Sequence, residues 1–266
     1  MAAPAARVLE HELLVYRRVW RGSVFSSFLS PVLFLAAMGL GLGSLVDANA
    51  AGGGGASGSA AALTGFSYLA FLAPGLLASN AMQTAAGEST FPVMAGIVWV
   101  KSFHGMIATP IRPADVVVGK LAYVALRLLL VSAAFFVVTV LFGAVTGPTA
   151  VLAVPAALLT GLAFAAPIAA FSATQKDANG FNALFRFGVI PLFLFSGTFF
   201  PVAQLPALLQ PLAYVTPLWH GVDLCRSLAL GTAEPAMTLV HLAYLGTMTA
   251  VGVAAALVTF RRRLVR

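Results

Sequence analysis

A single cysteine, Cys225, occurs in the 266 residues. No internal disulfide and no cysteine metal cluster can form. The four histidines, His11, His104, His220 and His241, stand at no metal-ligand spacing, and each reads as a polar group at an interface. Charge is scarce too. Asp, Glu, Lys and Arg make up 9% of the chain, against about 25% in ordinary soluble domains. Such a chain cannot cover its surface with polar groups, so lipid must be the solvent for much of it. The eight acidic residues are dispersed, and no pair has the spacing a metal-dependent membrane transferase needs. There is no G-x-x-x-x-G-K-[ST] loop: Gly119-Lys120 is followed by Leu121 and lacks the upstream glycine, so nothing cradles a phosphate. Neither G-x-S-x-G nor H-E-x-x-H appears. Catalysis by this chain is not expected, and the energy for any uphill transport has to come from elsewhere.

What is present is apolar sequence, 60% hydrophobic by residue with a mean hydropathy of +0.97. A spanning helix needs about 20 apolar residues. Uncharged stretches run over 22–46, 48–87, 128–175, 187–222 and 235–260. TGPTA at 146–150 divides the third, and the Gly/Ser-rich AAGGGGASGS at 50–59 begins the second. The expectation is an all-α integral membrane protein with six spans, near 24–46, 63–86, 115–142, 150–173, 181–200 and 236–260. The net charge of +7 forms no single patch, which argues against nucleic acid. The basic residues cluster between the apolar runs instead. With both termini cytoplasmic, Arg7, Arg17, Arg18, Arg21, Lys101, Arg112, Lys176, Arg186 and the tail RRRLVR all fall inside, as the positive-inside rule requires. Only Arg226 falls outside, and Arg127 lies within the third span. DANA at 47–50 imitates a signal-peptidase site, but the uncharged run before it exceeds a signal core of roughly 7–15 residues.

Three segments lie outside the spans. In RVLEHELLVYRRVWRG, Leu9, Leu13, Tyr16 and Trp20 share one helical face, with Arg17, Arg18 and Arg21 elsewhere. A helix over 7–21 of this kind suits the cytoplasmic membrane interface, and equally a plain topology anchor. The connection 87–115 holds AGIVWVKSFHGMIA, a helix near 96–107 with Trp99, Phe103 and Met106 on one side and Lys101 and His104 among them. Such a helix either docks a cytoplasmic partner or packs on neighbouring spans. FSGTFFPVAQLPALLQPLAYVTPLWHGVDLCRSL at 195–228 is apolar, yet Pro201, Pro206, Pro211 and Pro217 interrupt it. Two short helices that dip in and return, near 202–213 and 217–230, fit those breaks. Trp219 and Tyr214 would anchor them at headgroup level, as an outer gate or as a bland cap. Arg127, an intramembrane charge, would meet an anionic group on a cargo or headgroup, or else snorkel or pair with an acid near the cytoplasmic face.

These features, in this order, resemble the ABC-2 type permease family, the membrane subunits of type V ABC exporters. The subgroup is that of nodulation-factor (lipo-oligosaccharide) exporter permeases and daunorubicin-resistance permeases. SYLAFLAPGLLASNAMQTAAGE at 67–88, ATPIRPADVVVGKLAYVALR at 108–127, FLFSGTFFPVAQLPALLQPLAYVTPLWHGVDLCRSL at 193–228 and the tail FRRRLVR carry the likeness, which covers nearly the whole chain. The resemblance implies a cell-membrane export permease that dimerises and binds two copies of a separate ATPase. That ATPase holds the ATP and Mg, and this chain binds no cofactor. The resemblance makes 96–107 the coupling helix, 7–21 the interface helix, and 202–230 the re-entrant helices over the exit path of an amphiphilic cargo. One departure stands out. Family coupling helices often carry an acidic residue, whereas the polar groups here are Lys101, Ser102 and His104, with Glu88 as a substitute. Two other classes remain open, a lipid-modifying membrane enzyme and a stand-alone transporter. The first would need clustered acids or histidines, and the second an internal repeat between halves; the sequence displays neither.

Overall fold

The computed structural model describes residues 4–43, 66–145 and 147–265, and these contain helices and turns but no strand. The 47–50 tetrapeptide, the Gly/Ser-rich loop and the start of the expected second span lie outside the described residues. Helix α1 (Pro4–Leu35) runs on into a π-helical segment, Ala36–Gly43. Then follow α2 (Tyr68–Ser89), α3 (Ser102–Ile107), α4 (Pro113–Leu141) and α5 (Ala153–Thr174). The second half holds α6 (Asn179–Phe195), α7 (Gln210–Val215), α8 (Pro217–Leu230) and α9 (Pro235–Leu264).

Among the described residues, α4, Pro148–Thr174 (α5 with a preceding turn) and α9 are long and apolar enough to cross a membrane by themselves. These match the expected third, fourth and sixth spans. The other three fall short for visible reasons. Helix α1 carries the basic residues in its first part and passes the rest of its apolar run to Ala36–Gly43, and α2 is diluted by Asn80, Gln83, Thr84 and Glu88. Helix α6 is a shorter apolar helix that stops at Phe195 rather than near residue 200.

Alanine makes the bundle tight. Ala156, Ala157, Ala163, Ala165, Ala166, Ala169, Ala170 and Ala173 of α5 are all buried, and small side chains let helix backbones approach closely. Helices α2, α4, α8 and α9 all pack on α5. A Cβ on Gly119 would sit 2.6 Å from Val8 Cβ and 2.7 Å from the Ala5 carbonyl. Glycine there is what allows α1 to lie directly on α4.

Two expectations about α1 are corrected by this packing. No break separates an interface helix at 7–21 from a span at 24–46, because Gly22 weakens a helix without ending it and the helix runs straight through. Its apolar face is also not turned to lipid. Leu9, Leu13 and Tyr16 pack against the main core, Val8 enters a second core with Phe103 and Phe260, and only Trp20 of the predicted stripe is exposed.

Candidate functional site

The polar chemistry gathers at the two ends of the bundle. The basic end holds the 90–112 connection, the start of α4 and the end of α9. After the turn Phe91–Met94, the expected 96–107 helix divides into a π-helical segment, Ala95–Trp99, and α3. The break is Lys101, at φ 58°, the one non-glycine in the left-handed region among the described residues. Because it shifts the helical phase, Trp99, Phe103 and Met106 no longer share a side. Phe103 is 1% exposed, its ring tilted against Phe260 at 6.1 Å and seated over Gly96, where a Cβ would meet it. Met106 is partly buried beside it. The exposed apolar groups are instead Phe91, Trp99 and Val100, with the Phe91 and Trp99 rings stacked at 6.5 Å. Next to them an open cleft is lined by Lys101, His104, Arg262, Arg263 and two apolar side chains.

Behind this surface, two cations tie three helices together. Lys120 of α4 is buried and pairs with Glu12 of α1 at 2.9 Å. Arg127, seven residues further along α4, pairs with Glu88 at the end of α2 at 3.2 Å and donates to Tyr16 Oη at 2.9 Å. Its guanidinium lies over the Tyr16 ring at 4.5 Å. Arg127 is thus engaged by protein groups, and Glu88 is its partner rather than a surface acid of the connection. Arg17, Arg18 and Arg21 are exposed, with Arg21 over Trp20 at 5.8 Å.

At the opposite, proline-rich end, the chain leaves α6 into a non-helical bend whose Ser196 and Thr198 are fully buried. Pro201 leads into a short turn, Val202–Gln204. Pro211 and Pro217 each open a helix, α7 and α8, where proline's missing N–H removes no bond. A helix over the whole of 202–213 does not form: Pro206 lies in the turn before α7. Arg226, the lone basic exception to the topology, explains how the bend survives. Its guanidinium donates to the carbonyls of Phe71 at 3.0 Å, Gly197 at 2.8 Å and Thr198 at 3.4 Å, and stacks 3.7 Å above the Phe71 ring. Buried irregular backbone needs such donors. The Ser79 and Thr198 hydroxyls add a bond of 2.8 Å.

The histidines are not all scattered. His220 Nδ1 meets His241 Nδ1 at 2.8 Å, so one ring donates to the other. His241 Nε2 lies 3.0 Å from Asp223 Oδ2, and His220 stacks on Tyr244 at 4.0 Å. Trp219 closes the cluster, 5.3 Å from His241. The group pins α8 to α9, and no set of side chains suited to a metal is found among the described residues. A signal for it was available: His220, Asp223 and Arg226 recur every three residues in an apolar helix, a polar stripe down one face.

An all-helical bundle with three self-sufficient spans, a basic end and a buried broken segment defines an integral membrane protein. The chain belongs to the ABC-2 type transporter family, whose model matches residues 7–230, and is a membrane permease. It is 28% identical over 260 residues to Nodulation protein J of Rhizobium leguminosarum bv. viciae, covering 97% of this chain and 94% of that protein. It is 30% identical over 226 residues to Nodulation protein J of Rhizobium leguminosarum bv. trifolii, with 82% and 81% covered. Nodulation protein J of Neorhizobium galegae is 28% identical over 257 residues, with 97% and 92% covered.

Proposed function

We propose that the chain is the transmembrane subunit of an ATP-driven exporter. It works as a dimer, with two copies of a separate ATPase, and carries an amphiphilic cargo out of the cytoplasm or inner leaflet. In this reading α1 with Ala36–Gly43, α2 and α6 complete a six-span topology. The basic end is cytoplasmic, both termini lie there, and α7 and α8 form the re-entrant cap. ATP and Mg belong to the partner, since this sequence has no phosphate loop.

The observation that carries the reading is the exposed ridge of Phe91, Trp99 and Val100 beside the cleft of Lys101, His104, Arg262 and Arg263. An apolar ridge with a basic flank calls for a protein partner. Phe103 is part of the scaffold beneath it, and Trp99 is the contact. The test is purification of the tagged chain from native membranes in mild detergent. A Walker-motif ATPase is expected to accompany the wild type and to be released by Trp99→Asp, whose elution profile stays that of a folded permease. A chain that emerges intact and alone sinks the reading.

A further inference from the structure

The buried cluster between α8 and α9 holds titratable groups that the exporter reading leaves unused. His220 and His241 are 7% and 1% exposed, and their Nδ1 atoms meet at 2.8 Å. The Asp223 carboxylate only accepts, so His241 Nε2 carries a hydrogen toward it at 3.0 Å. While the His241 ring is neutral its Nδ1 is an acceptor, and His220 Nδ1–H donates to it. One hydrogen fills the gap between the rings.

This pair can take one added proton but not two. After the first, a single hydrogen still lies between the two Nδ1 atoms, whichever ring is charged. The second gives all four ring nitrogens a hydrogen. Two N–H groups would then face each other across 2.8 Å, on rings of like charge, and the rings must part. Among the described residues, few charged or titratable groups surround the pair. Asp223, Cys225 and Arg226 share α8, Tyr244 comes from α9 and Tyr214 from α7. Glu234 begins α9 in the open, Tyr68 of α2 turns to the Phe199 carbonyl, and α5 brings no such group. Parting acts on one place. Trp219 packs on both histidine rings, at 4.9 and 5.3 Å, and on Tyr214 at 4.8 Å. Tyr244, stacked on His220, donates to the Val215 carbonyl at 2.6 Å, where α7 ends.

We propose that His220, His241 and Asp223 form an acid-sensitive clasp, which holds α7 and α8 against α9 until the pair takes its second proton and then releases them. The proposal goes beyond the exporter reading, which decides only which side of the membrane the clasp samples. Parted rings accept a proton that the closed pair refuses, so the closed form loses stability as pH falls. The test uses the full chain in nanodiscs without an ATPase, with Trp20→Phe and Trp99→Phe so that Trp219 alone emits. Between about pH 7.5 and about pH 4.5, a range that spans the ordinary histidine value of about 6.5, its emission shifts to longer wavelength in one reversible step. Helix content by circular dichroism stays constant. His220→Phe, which keeps a flat ring on Tyr244, abolishes the step, and so does His241→Phe, since one histidine alone never meets a like charge. Asp223→Asn, at a half-exposed side chain, moves the step up by about one pH unit, as loss of a neighbouring negative charge implies. If the ring variants fail to fold, that shift decides. A wild type without a step, a step that survives in either ring variant, an unmoved midpoint in Asp223→Asn, or helix lost in parallel overturns the proposal. A chain with no ATPase partner can still show the step, and one with its ATPase can lack it, so the two readings fail separately.

Discussion

The two ends of this bundle hold polar groups in different ways. At the basic end, whole charges meet whole charges across separate helices: Lys120 with Glu12 and Arg127 with Glu88. Each pair joins side chains of straight elements, and none supports a carbonyl that lost its partner. At the proline-rich end, Arg226 spends its donors on backbone carbonyls of α2 and of the bend after α6. In the bend the arginine supplies Gly197 and Thr198 with hydrogen bonds that a helix would have made itself, and at Phe71 it adds one to a carbonyl inside α2. The first arrangement can exchange partners when helices move. The second holds one shape, because removing its donor strands several carbonyls at once.

Arg226→Met is the sharpest way to break that contrast. It should cost about 3–5 kcal/mol, since unsatisfied buried acceptors each carry a desolvation penalty. The expected outcome is a large drop in thermal midpoint or loss of monodisperse protein in detergent. Glu88→Gln should cost less, about 1–3 kcal/mol, because Arg127 keeps Tyr16 and both side chains retain some solvent access. Exchanging the pair, Glu88→Arg with Arg127→Glu, should restore part of the loss in a double-mutant cycle. If the exchange rescues nothing, the basic end is as shape-bound as the other. Thr198→Val is the smallest, about 1 kcal/mol, leaving Ser79 without its partner. Adding Ser79→Ala should return the midpoint close to wild type, because removing both hydroxyls strands neither.

Much of the architecture was legible. Uninterrupted apolar length set α4, the Pro148–Thr174 stretch and α9, and the prolines at 201, 211 and 217 marked where helices begin. What was not legible depended on geometry that periodicity cannot carry. Trp99 and Phe103 are four residues apart and would share a face in one continuous helix. The left-handed Lys101 between them sends one outward and the other into the core. Arg127 read either as a contact for cargo or headgroup or as one half of a pair with an acid; the pair is what forms, and its acid, Glu88, was not legible because it sits 39 residues earlier in the chain. The His220–His241 contact joins two helices across a turn, and only the three-residue polar spacing within α8 hinted that His220 faces company.

The unbroken course of α1 has a mechanical consequence. From Pro4 to Pro31, its only internal proline, the helix is a rod about 40 Å long at 1.5 Å per residue. It is fastened at one third of its length by Glu12 and Tyr16 and by the close seat of Val8 on Gly119. Its far end is seated as well, with Pro31 and Leu35 buried and Val32 and Phe34 packed on the main core. A stiff rod seated at both ends carries a push along its axis, so a shift where Arg7 and His11 stand reaches Pro31 and Phe34 together.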